Sequence, residues 1–239
     1  MPHVRDEAIC VRHWDFSETS QTVSLFCREH GLLRGIAKGA KRVGGRFSGG
    51  IDLLTRGQVI AIVKPGRELS TLTDWTLLRS WRSLRNELAA NQAAFYMADL
   101  VQRMVAADDP HPKLYDALVA SLDACEAGLT EEATLAFQWV ALSETGHAPR
   151  IELPDDAAAT LSFVPDEGGV ASGARPGAWK IRRQTVEFLA RLGPDACAET
   201  VATETSRETL SRANRLLAAY VRHLLGAQPA TMRLLFPEL

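Results

Sequence analysis

Short runs of alternating apolar and polar residues fill the first eighty positions of the chain and predict β-strands. Five such runs are present: DEAICVRHW, QTVSLFC, LLRGIAK, RGQVIAIVK and LSTLTDWTLL. The turn signals between them are His30-Gly31, a long flexible loop from Gly39 to Gly50, and Pro65-Gly66. Five short strands with no intervening helix predict a small closed barrel.

After the fifth strand the apolar residues recur at helical spacing, every third or fourth position. The stripes are Met97, Leu100, Val101 and Met104; Leu114, Leu118, Leu122 and Cys125; Leu135, Phe137, Trp139, Val140 and Leu142; Ile181, Thr185, Phe188 and Leu192; and Leu210, Ala213, Leu217, Tyr220 and Leu224. Thr130 is the expected N-cap of the third helix, with Glu131 and Glu132 in its first turn, and Gly226 is expected to stop the fifth. Residues 147–177 are rich in Pro, Gly and Ala, and they predict an insertion with little regular structure.

The pattern therefore predicts an α+β protein of two domains: a five-stranded barrel over residues 1–80 and an all-α helical domain over residues 81–239. The chain of 239 residues is 46% hydrophobic, which is ample for packed cores. No apolar run approaches the roughly 18 residues of a membrane-spanning helix. Charged residues recur through the first thirty positions, so we expect no secretory signal and a cytoplasmic location.

The four cysteines, Cys10, Cys27, Cys125 and Cys197, are scattered with no CxxC pair. This spacing is neither a disulfide framework nor a zinc ribbon, so each is expected to be a small buried hydrophobe.

Charge is distributed unevenly along the chain, although its formal net value is only -2. Residues 28–82 hold eleven Lys or Arg and four acidic residues, residues 83–178 hold five and fifteen, and residues 179–239 hold nine and six. Such asymmetry favours a face that meets a polyanion, while a merely solvated surface is the simpler alternative.

The third predicted strand carries the basic residues that matter most. Alternation sends Leu33, Gly35 and Ala37 to one face, where small side chains suit a barrel interior, and sends Arg34 and Lys38 outward. Lys41, Arg42 and Arg46 follow on the glycine-rich loop, whose backbone can approach a phosphate closely. We expect these five residues, Arg34, Lys38, Lys41, Arg42 and Arg46, to bind DNA through its backbone.

Phe26 and Phe47 lie near the basic segment in the sequence. They are either stacking surfaces for bases or members of the barrel core or seam, and the sequence leaves both alternatives open.

Catalytic motifs are not evident. The segment Asp108-Asp109-Pro110-His111 could imitate a metal site, but it is typical of a turn before a helix. The sequence contains neither HExxH nor GxSxG, and the segment from Gly35 to Lys41 lacks the second glycine of a phosphate-binding loop. We therefore expect a protein without enzymatic activity and without a cofactor.

The segment DEAICVRHWDFSETSQTVSLFCREHGLLRGIAKGAKR resembles the N-terminal pattern of the bacterial recombination mediator family RecO. LDACEAG, the Gly-His-Ala-Pro at 146–149 and NRLLAAYVRHLLG are similar to that family's helical domain. The resemblance implies an oligonucleotide-binding (OB) barrel followed by a helical domain, and a nucleoid-associated role in DNA repair. It implies binding to single- and double-stranded DNA, annealing of complementary strands, and cooperation with RecR in loading RecA on DNA coated by single-strand-binding protein.

Two further expectations come from this resemblance. The acidic, Phe-ending tail of single-strand-binding protein is expected to dock on the helical domain beside Arg212, Arg215 and Arg222. Many relatives carry a zinc site formed by two CxxC pairs, but here the equivalent positions are Pro154, Ala157, Ser172 and Arg175, around Gly168-Gly169. None supplies a thiolate, so we expect no metal and a looser loop in place of that site.

Two other functions fit the same residues. The barrel could be a protein-protein adaptor that contacts DNA only weakly, or it could bind RNA.

Overall fold

The computed structural model of the chain describes residues 3–42, 45–47, 49–63, 66, 68–154, 160–171, 173 and 175–239. It divides into two compact units, one of Met1–Glu87 with Ala98–Asp116 and the other of Leu88–Met97 with Ala117–Leu239. The domain boundary expected between residues 80 and 81 stays a prediction. Within the described part of the chain, no helix is long and apolar enough to cross a membrane.

Five strands of the first unit close into a barrel in the order β1-β2-β3-β5-β4. Their bounds are β1 His3–Asp15, β2 Gln21–Cys27, β3 Gly31–Ala37, β4 Thr55–Ile62 and β5 Ser70–Ser80. The pairing of β3 with β5 is parallel and the other four pairings are antiparallel. The predicted barrel and its five strands are therefore confirmed.

Leu33, Gly35 and Ala37 of β3 point into the barrel, as alternation along β3 predicts. Leu33 and Ala37 belong to the buried core of the barrel. A Cβ atom on Gly35 would lie 2.7 Å from the Leu72 side chain, because β3 and β5 approach closely where they pair. Glycine is required at this position by space and not by backbone conformation.

A β-bulge in β1 reverses the alternation of its side chains. Cys10 lies opposite Leu25 on the core side, but the next paired residue is Arg12, opposite Ser24. Val11 is the extra residue, so Arg12 takes the outward face that simple alternation would have denied it. Every later residue of β1 is shifted in the same way.

The loop between β3 and β4 is anchored over the barrel through buried side chains. Ala40, Phe47 and Ile51 all belong to the barrel core. The Arg42 amide donates to the Gly39 carbonyl at 3.1 Å and the Gly50 amide donates to the Phe47 carbonyl at 3.0 Å, which makes two compact turns. In its described residues this loop is therefore held to the core, whereas the sequence predicted a long flexible loop. Val43, Gly44 and Ser48 lie outside the described residues, as does Pro65 of another expected turn.

Eight helices are described, with the bounds α1 Ser83–Asn86, α2 Leu88–Met104, α3 Pro112–Glu126, α4 Thr130–Glu144, α5 Arg183–Arg191, α6 Ala198–Glu204, α7 Arg207–Leu225 and α8 Ala230–Leu235. The five predicted stripes fall on α2, α3, α4, α5 and α7. Three details differ: Leu129 caps α4 in place of Thr130, Ile181 lies in a strand before α5, and Leu192 follows the end of α5. Gly226 ends α7 with φ of 65°, as predicted.

A chain of hydrogen bonds crosses the core of the second unit. Tyr96 donates to Gln138, which donates to Asn214, and Asn214 donates to the Glu131 carbonyl, each at 2.9 Å. All three side chains are buried, so leaving one unpaired would be costly. This series of hydrogen bonds fixes the alignment of α4 and α7 along each other.

The insertion at residues 147–177 contributes to a small sheet, so the prediction of little regular structure was wrong. The strands are β6 Thr160–Val164, β7 Gly169–Ala171 and β8 Trp179–Arg182, in the order β7-β6-β8. Arg150 joins β7 through two backbone hydrogen bonds, with Gly168 at 2.8 Å and with Val170 at 3.0 Å. The strands were missed because they are short and lie among glycines and prolines that favour loops.

Aromatic packing holds this small sheet against α7. Phe163 stacks on Trp179 with ring centroids 5.8 Å apart, and it meets Tyr220 of α7 edge-on at 5.3 Å. Gly168 turns with φ of 63°, and a Cβ there would lie 2.5 Å from the Tyr220 hydroxyl. The described residues include no group of three or more His, Cys, Asp or Glu that could hold a metal ion. Ala157 and Ser172, two of the four positions equivalent to zinc ligands, lie outside them.

Three of the four cysteines should be unreactive in the native protein. Cys10, Cys27 and Cys125 are buried, and burial raises the pKa of the Cys10 and Cys125 thiols to about 12. Cys197 is only half-buried. At pH 8 we expect 5,5′-dithiobis(2-nitrobenzoate) to label about one thiol rapidly and the rest only in denaturant. Rapid labelling that persists in the Cys197→Ser variant would contradict this assignment.

Phe47 should be important for stability. The Phe47→Ala variant leaves a cavity at the end of the barrel core, so we expect the free energy of unfolding to fall by about 3–5 kcal/mol. Urea denaturation measures this loss, and trypsin cleavage after Arg42 and Arg46 should accelerate as the loop is released. The exposed Phe16, changed to alanine, is the matched control. Equal stability of the two variants would contradict the anchoring role of Phe47.

Candidate nucleic-acid interface

The outer surface of strands β1, β2 and β3 has a covered end and an open end. At the covered end Ile9, Phe26 and Leu32 lie side by side across the three strands and are buried. Phe26 packs against Tyr115 with ring centroids 5.8 Å apart, and Leu32 bridges to Ala107. This part of the surface is therefore internal to the first unit.

The open end is built from two rows of side chains that the strand register aligns. Arg12, Ser24 and Arg34 form one row, and Trp14, Thr22 and Ile36 form the next. We call this surface the open face and include Lys38, one step beyond the end of β3 on the same side. Neighbouring strands are about 4.8 Å apart, so Arg12 and Arg34 stand roughly 10 Å from each other with the small Ser24 between them.

Two loops are joined beside the open face. The Gly39 amide donates to the Ser20 hydroxyl at 3.3 Å, and the Lys41 amide donates to the Thr19 carbonyl at 3.1 Å. The Lys41 ammonium also pairs with Asp15 at 2.6 Å. We call residues 16–20 and 39–42 the joined loops. They bring the segment Trp-Asp-Phe-Ser-Glu-Thr-Ser into contact with Gly-Ala-Lys-Arg, which follows it by some twenty residues.

Four of the five predicted DNA-binding residues present exposed side chains at or beside the open face: Arg34, Lys38, Arg42 and Arg46. Among the described residues, none forms an ion pair or a side-chain hydrogen bond with them. Lys41 is half-buried and neutralised by Asp15. The structure thus places the five on β3 and on the loop that directly follows it, and their role in binding DNA stays a prediction.

Three described arginines elsewhere in the first unit form ion pairs with carboxylates. Arg28 binds Asp116 through two nitrogens at 2.9 and 2.8 Å, and this carboxylate raises the pKa of Arg28 above its ordinary value. Arg56 pairs with Glu7, and Arg85 pairs with Asp52 at 2.9 Å. These three arginines are neutralised by carboxylates, whereas Arg34, Lys38, Arg42 and Arg46 have no such partner among the described residues.

Exposed aromatic rings are the feature of this site that the sequence did not reveal. Trp14 is 43% exposed and Phe16 is 64% exposed, whereas Phe26 and Phe47, the two suspected stacking residues, are buried. The core alternative is therefore the correct one for Phe26 and Phe47. The Arg12 guanidinium lies over the Trp14 ring, 5.3 Å from its centroid. The sequence did not predict Arg12 and Trp14 at this surface, because only the bulge at Val11 turns them outward.

The segment from Asp108 to His111 has a structural place. It precedes α3, and His111 lies 3.2 Å from Asp109. A Cβ on Gly31 would lie 2.2 Å from the Asp109 carbonyl oxygen, so this turn packs directly on the β2–β3 hairpin. The geometry matches the turn reading of this segment.

The three arginines expected to bind a partner lie along α7, and they differ in availability. Arg212 is only 16% exposed and is bound to Glu208, to Thr185 at 3.3 Å and to Thr209 at 2.9 Å. Arg215 pairs with Glu238 at 2.9 Å, and Arg222 is half-buried. Arg212 is thus engaged in packing within the second unit, while Arg215 and its partner Glu238 are both exposed.

The chain matches two family models over most of its length. Residues 1–81 match "Recombination protein O N terminal", and residues 85–233 match "Recombination protein O C terminal". The first of these covers β1 to β5, which carry the open face.

Similar proteins are each named "DNA repair protein RecO". One from Rhodopirellula baltica is 36% identical over 143 residues, which is 59% of this chain and 53% of that protein, so the alignment spans about half of that relative. One from an Anaeromyxobacter species is 31% identical over 242 residues, or 95% of this chain and 93% of that protein. One from Anaeromyxobacter dehalogenans is 28% identical over 245 residues, or 98% and 96%. With its OB-like barrel, its helical C-terminal part and both family models matched, the chain belongs to the RecO family of DNA repair and recombination proteins.

Proposed function

We propose that this protein is a non-enzymatic recombination mediator that binds single- and double-stranded DNA through the open face and the joined loops. The observation that carries the proposal is the set of exposed, unpaired cations at one side of an OB barrel: Arg34, Lys38, Arg42 and Arg46. Family membership supplies the setting of DNA repair and recombination. The protein acts in the cytoplasm, at the nucleoid.

Binding is driven mainly by the phosphate backbone. Each cation that neutralises a phosphate releases condensed counterions, which makes the affinity strongly dependent on salt and nearly independent of sequence. Arg34 and Lys38 lie on and just after β3, and Arg42 and Arg46 lie on a loop that Phe47 holds to the core. A fixed scaffold of this kind follows a strand without reading its bases.

Annealing follows from the same arrangement. When positive charge holds the backbone of one strand, its bases remain free to pair, and the repulsion between two approaching strands is reduced. We propose that the protein anneals complementary strands in this way. With RecR it then helps to load RecA on DNA coated by single-strand-binding protein, as the family resemblance implies.

The second unit is proposed to receive the C-terminal tail of single-strand-binding protein. That tail is acidic and ends in Phe, so it needs cations beside apolar surface. Of the three arginines expected to bind a partner, Arg215 and Arg222 are assigned to the tail. Arg212 is half-buried and engaged with Glu208, Thr185 and Thr209, whereas Arg215 pairs with the exposed Glu238.

A second candidate function, a protein-protein adaptor, is favoured by one exposed strand segment. In β5 only Ser70–Leu72 pair with β3, and further along the same strand Leu77 and Leu78 are more than half exposed. A partner such as RecR can add a strand or an apolar surface here. This function requires no strong affinity for nucleic acid.

The decisive experiment is charge reversal on the open face. In the Arg34→Glu/Lys38→Glu variant we expect the affinity for every DNA sequence to fall at least tenfold. The slope of log affinity against log salt should also fall, by about 1.4 on single strands, because two phosphate contacts are lost. Fluorescence anisotropy with labelled oligonucleotides over a salt series measures both quantities, and strand annealing on coated template should fall in parallel.

The matched control is Arg207→Glu/Arg233→Glu, which changes the net charge equally at exposed positions of the second unit. An equal loss of DNA affinity in both variants would mean that the effect comes from net charge and not from the open face. Unchanged binding in the open-face variant would favour the adaptor, and stronger binding to RNA than to DNA oligonucleotides would favour an RNA-binding barrel.

The tail site has its own test. A synthetic acidic peptide ending in Phe should bind the Arg215→Ala/Arg222→Ala variant several-fold more weakly than the parent protein, because two charge-assisted contacts are lost. Isothermal titration calorimetry measures the affinity, and Arg191→Ala/Arg233→Ala serves as a control that removes two exposed arginines on other helices of the second unit. Equal affinity of the tail-site variant and the parent would mean that Arg215 and Arg222 of α7 do not bind the tail.

A further inference from the structure

We propose that Trp14 and Phe16 stack on unpaired bases, which gives the open face a preference for single strands over duplex. This inference rests on the proposed function and deepens it, because it names the form of nucleic acid that the same site selects. The two rings distinguish single strands from duplex, which the phosphate contacts cannot do.

The exposure of these rings is the first observation. Trp75, Trp81 and Trp139 are buried, whereas Trp14 is 43% exposed and Phe16 is 64% exposed. Both rings come from one short segment at the end of β1 and the turn that follows it. Two large aromatic rings exposed within three residues of each other mark a binding surface more often than a single exposed apolar residue does.

The position of the rings is the second observation. Trp14 shares its row with Ile36, and Arg12 and Arg34 form the adjacent row on the same face. Phe16 begins the turn that is joined to Gly39 and Lys41 through Ser20 and Thr19. The rings are therefore bordered by cations along β1, along β3 and in the joined loops.

Charge identifies the occupant. A membrane or an apolar protein surface would not need the unpaired cations around the rings, and an acidic peptide would not need two flat rings. A nucleic-acid strand combines a polyanionic backbone with flat π-systems, so it satisfies both features at once. The acidic residue between the two rings, Asp15, is already neutralised by Lys41 at 2.6 Å.

Stacking selects single strands because the bases of a duplex already stack on one another inside the helix. A protein ring reaches a base face only when that base is unpaired or at an end. Stacking uses the face of the base and leaves its Watson–Crick edge free, so a stacked base remains able to pair with a complementary strand. The two rings therefore add selectivity without opposing annealing.

The test compares single strands and duplex of the same sequence, bound by the full-length protein. For Trp14→Ala/Phe16→Ala we expect the affinity for single strands to fall about tenfold or more, as base–aromatic stacking energies imply. The affinity for duplex should change less than about twofold, and the salt slope should stay unchanged because no phosphate contact is lost. Trp14→Phe/Phe16→Tyr keeps both rings and should restore most of the single-strand affinity.

Tryptophan fluorescence gives a second readout. Single strands should quench the emission of the parent protein, and the quenched component should disappear in Trp14→Phe, because Trp14 is the ring in contact with bases. Leu88→Ala, which removes another exposed apolar side chain, is the control and should behave as the parent. Thermal melting verifies that the variants are folded, as the exposure of both rings leads us to expect.

The outcomes separate this inference from the proposed function. If the ring variant binds single strands as tightly as the parent, or loses duplex affinity equally, the stacking role is overturned. The proposed function still stands in that case, provided that Arg34→Glu/Lys38→Glu weakens binding. If the parent protein binds no DNA at low salt, the proposed function fails and the inference fails with it.

Discussion

Closure of five strands into a narrow barrel is the constraint on which the first unit depends. The interior of so small a barrel admits only a limited volume, so β3 has Leu33, Gly35 and Ala37 where its side chains point inward. The ladder is completed by only three pairs between β3 and β5. The inward side of β3 cannot hold large or charged side chains. Arg34 therefore lies on the outer surface of the barrel.

The same constraint explains why much of the barrel could be predicted from sequence. Alternation has a period of two in any strand, and the small inward residues of β3 leave no ambiguity about which face is which. The bounds of β2 and the outward direction of Arg34 follow directly. A bulge has no comparable signature in a single sequence, so the outward direction of Arg12 and Trp14 could not be anticipated. Contacts between distant segments, such as those that join Thr19 and Lys41, are also invisible to local patterns.

In the second unit, long elements could be predicted from the sequence and short ones could not. Helical stripes were read correctly because long amphipathic helices repeat their signal many times, but the small sheet was missed because its strands have only three to five residues. The aromatic packing of Phe163 on Trp179 and Tyr220 links residues that are separated by up to 57 positions, the span from 163 to 220. Backbone pairing of Arg150 and the packing of three rings hold the small sheet against α7.

The bulge at Val11 decides the chemistry of an entire surface by the presence of one residue. If Val11 paired with Ser24 instead, the bulge would be lost and every later residue of β1 would shift by one partner along β2. The guanidinium of Arg12 and the indole of Trp14 would then face the barrel core, and His13 would face outward. The character of this surface therefore depends on the register between β1 and β2 as much as on which side chains the strand contains.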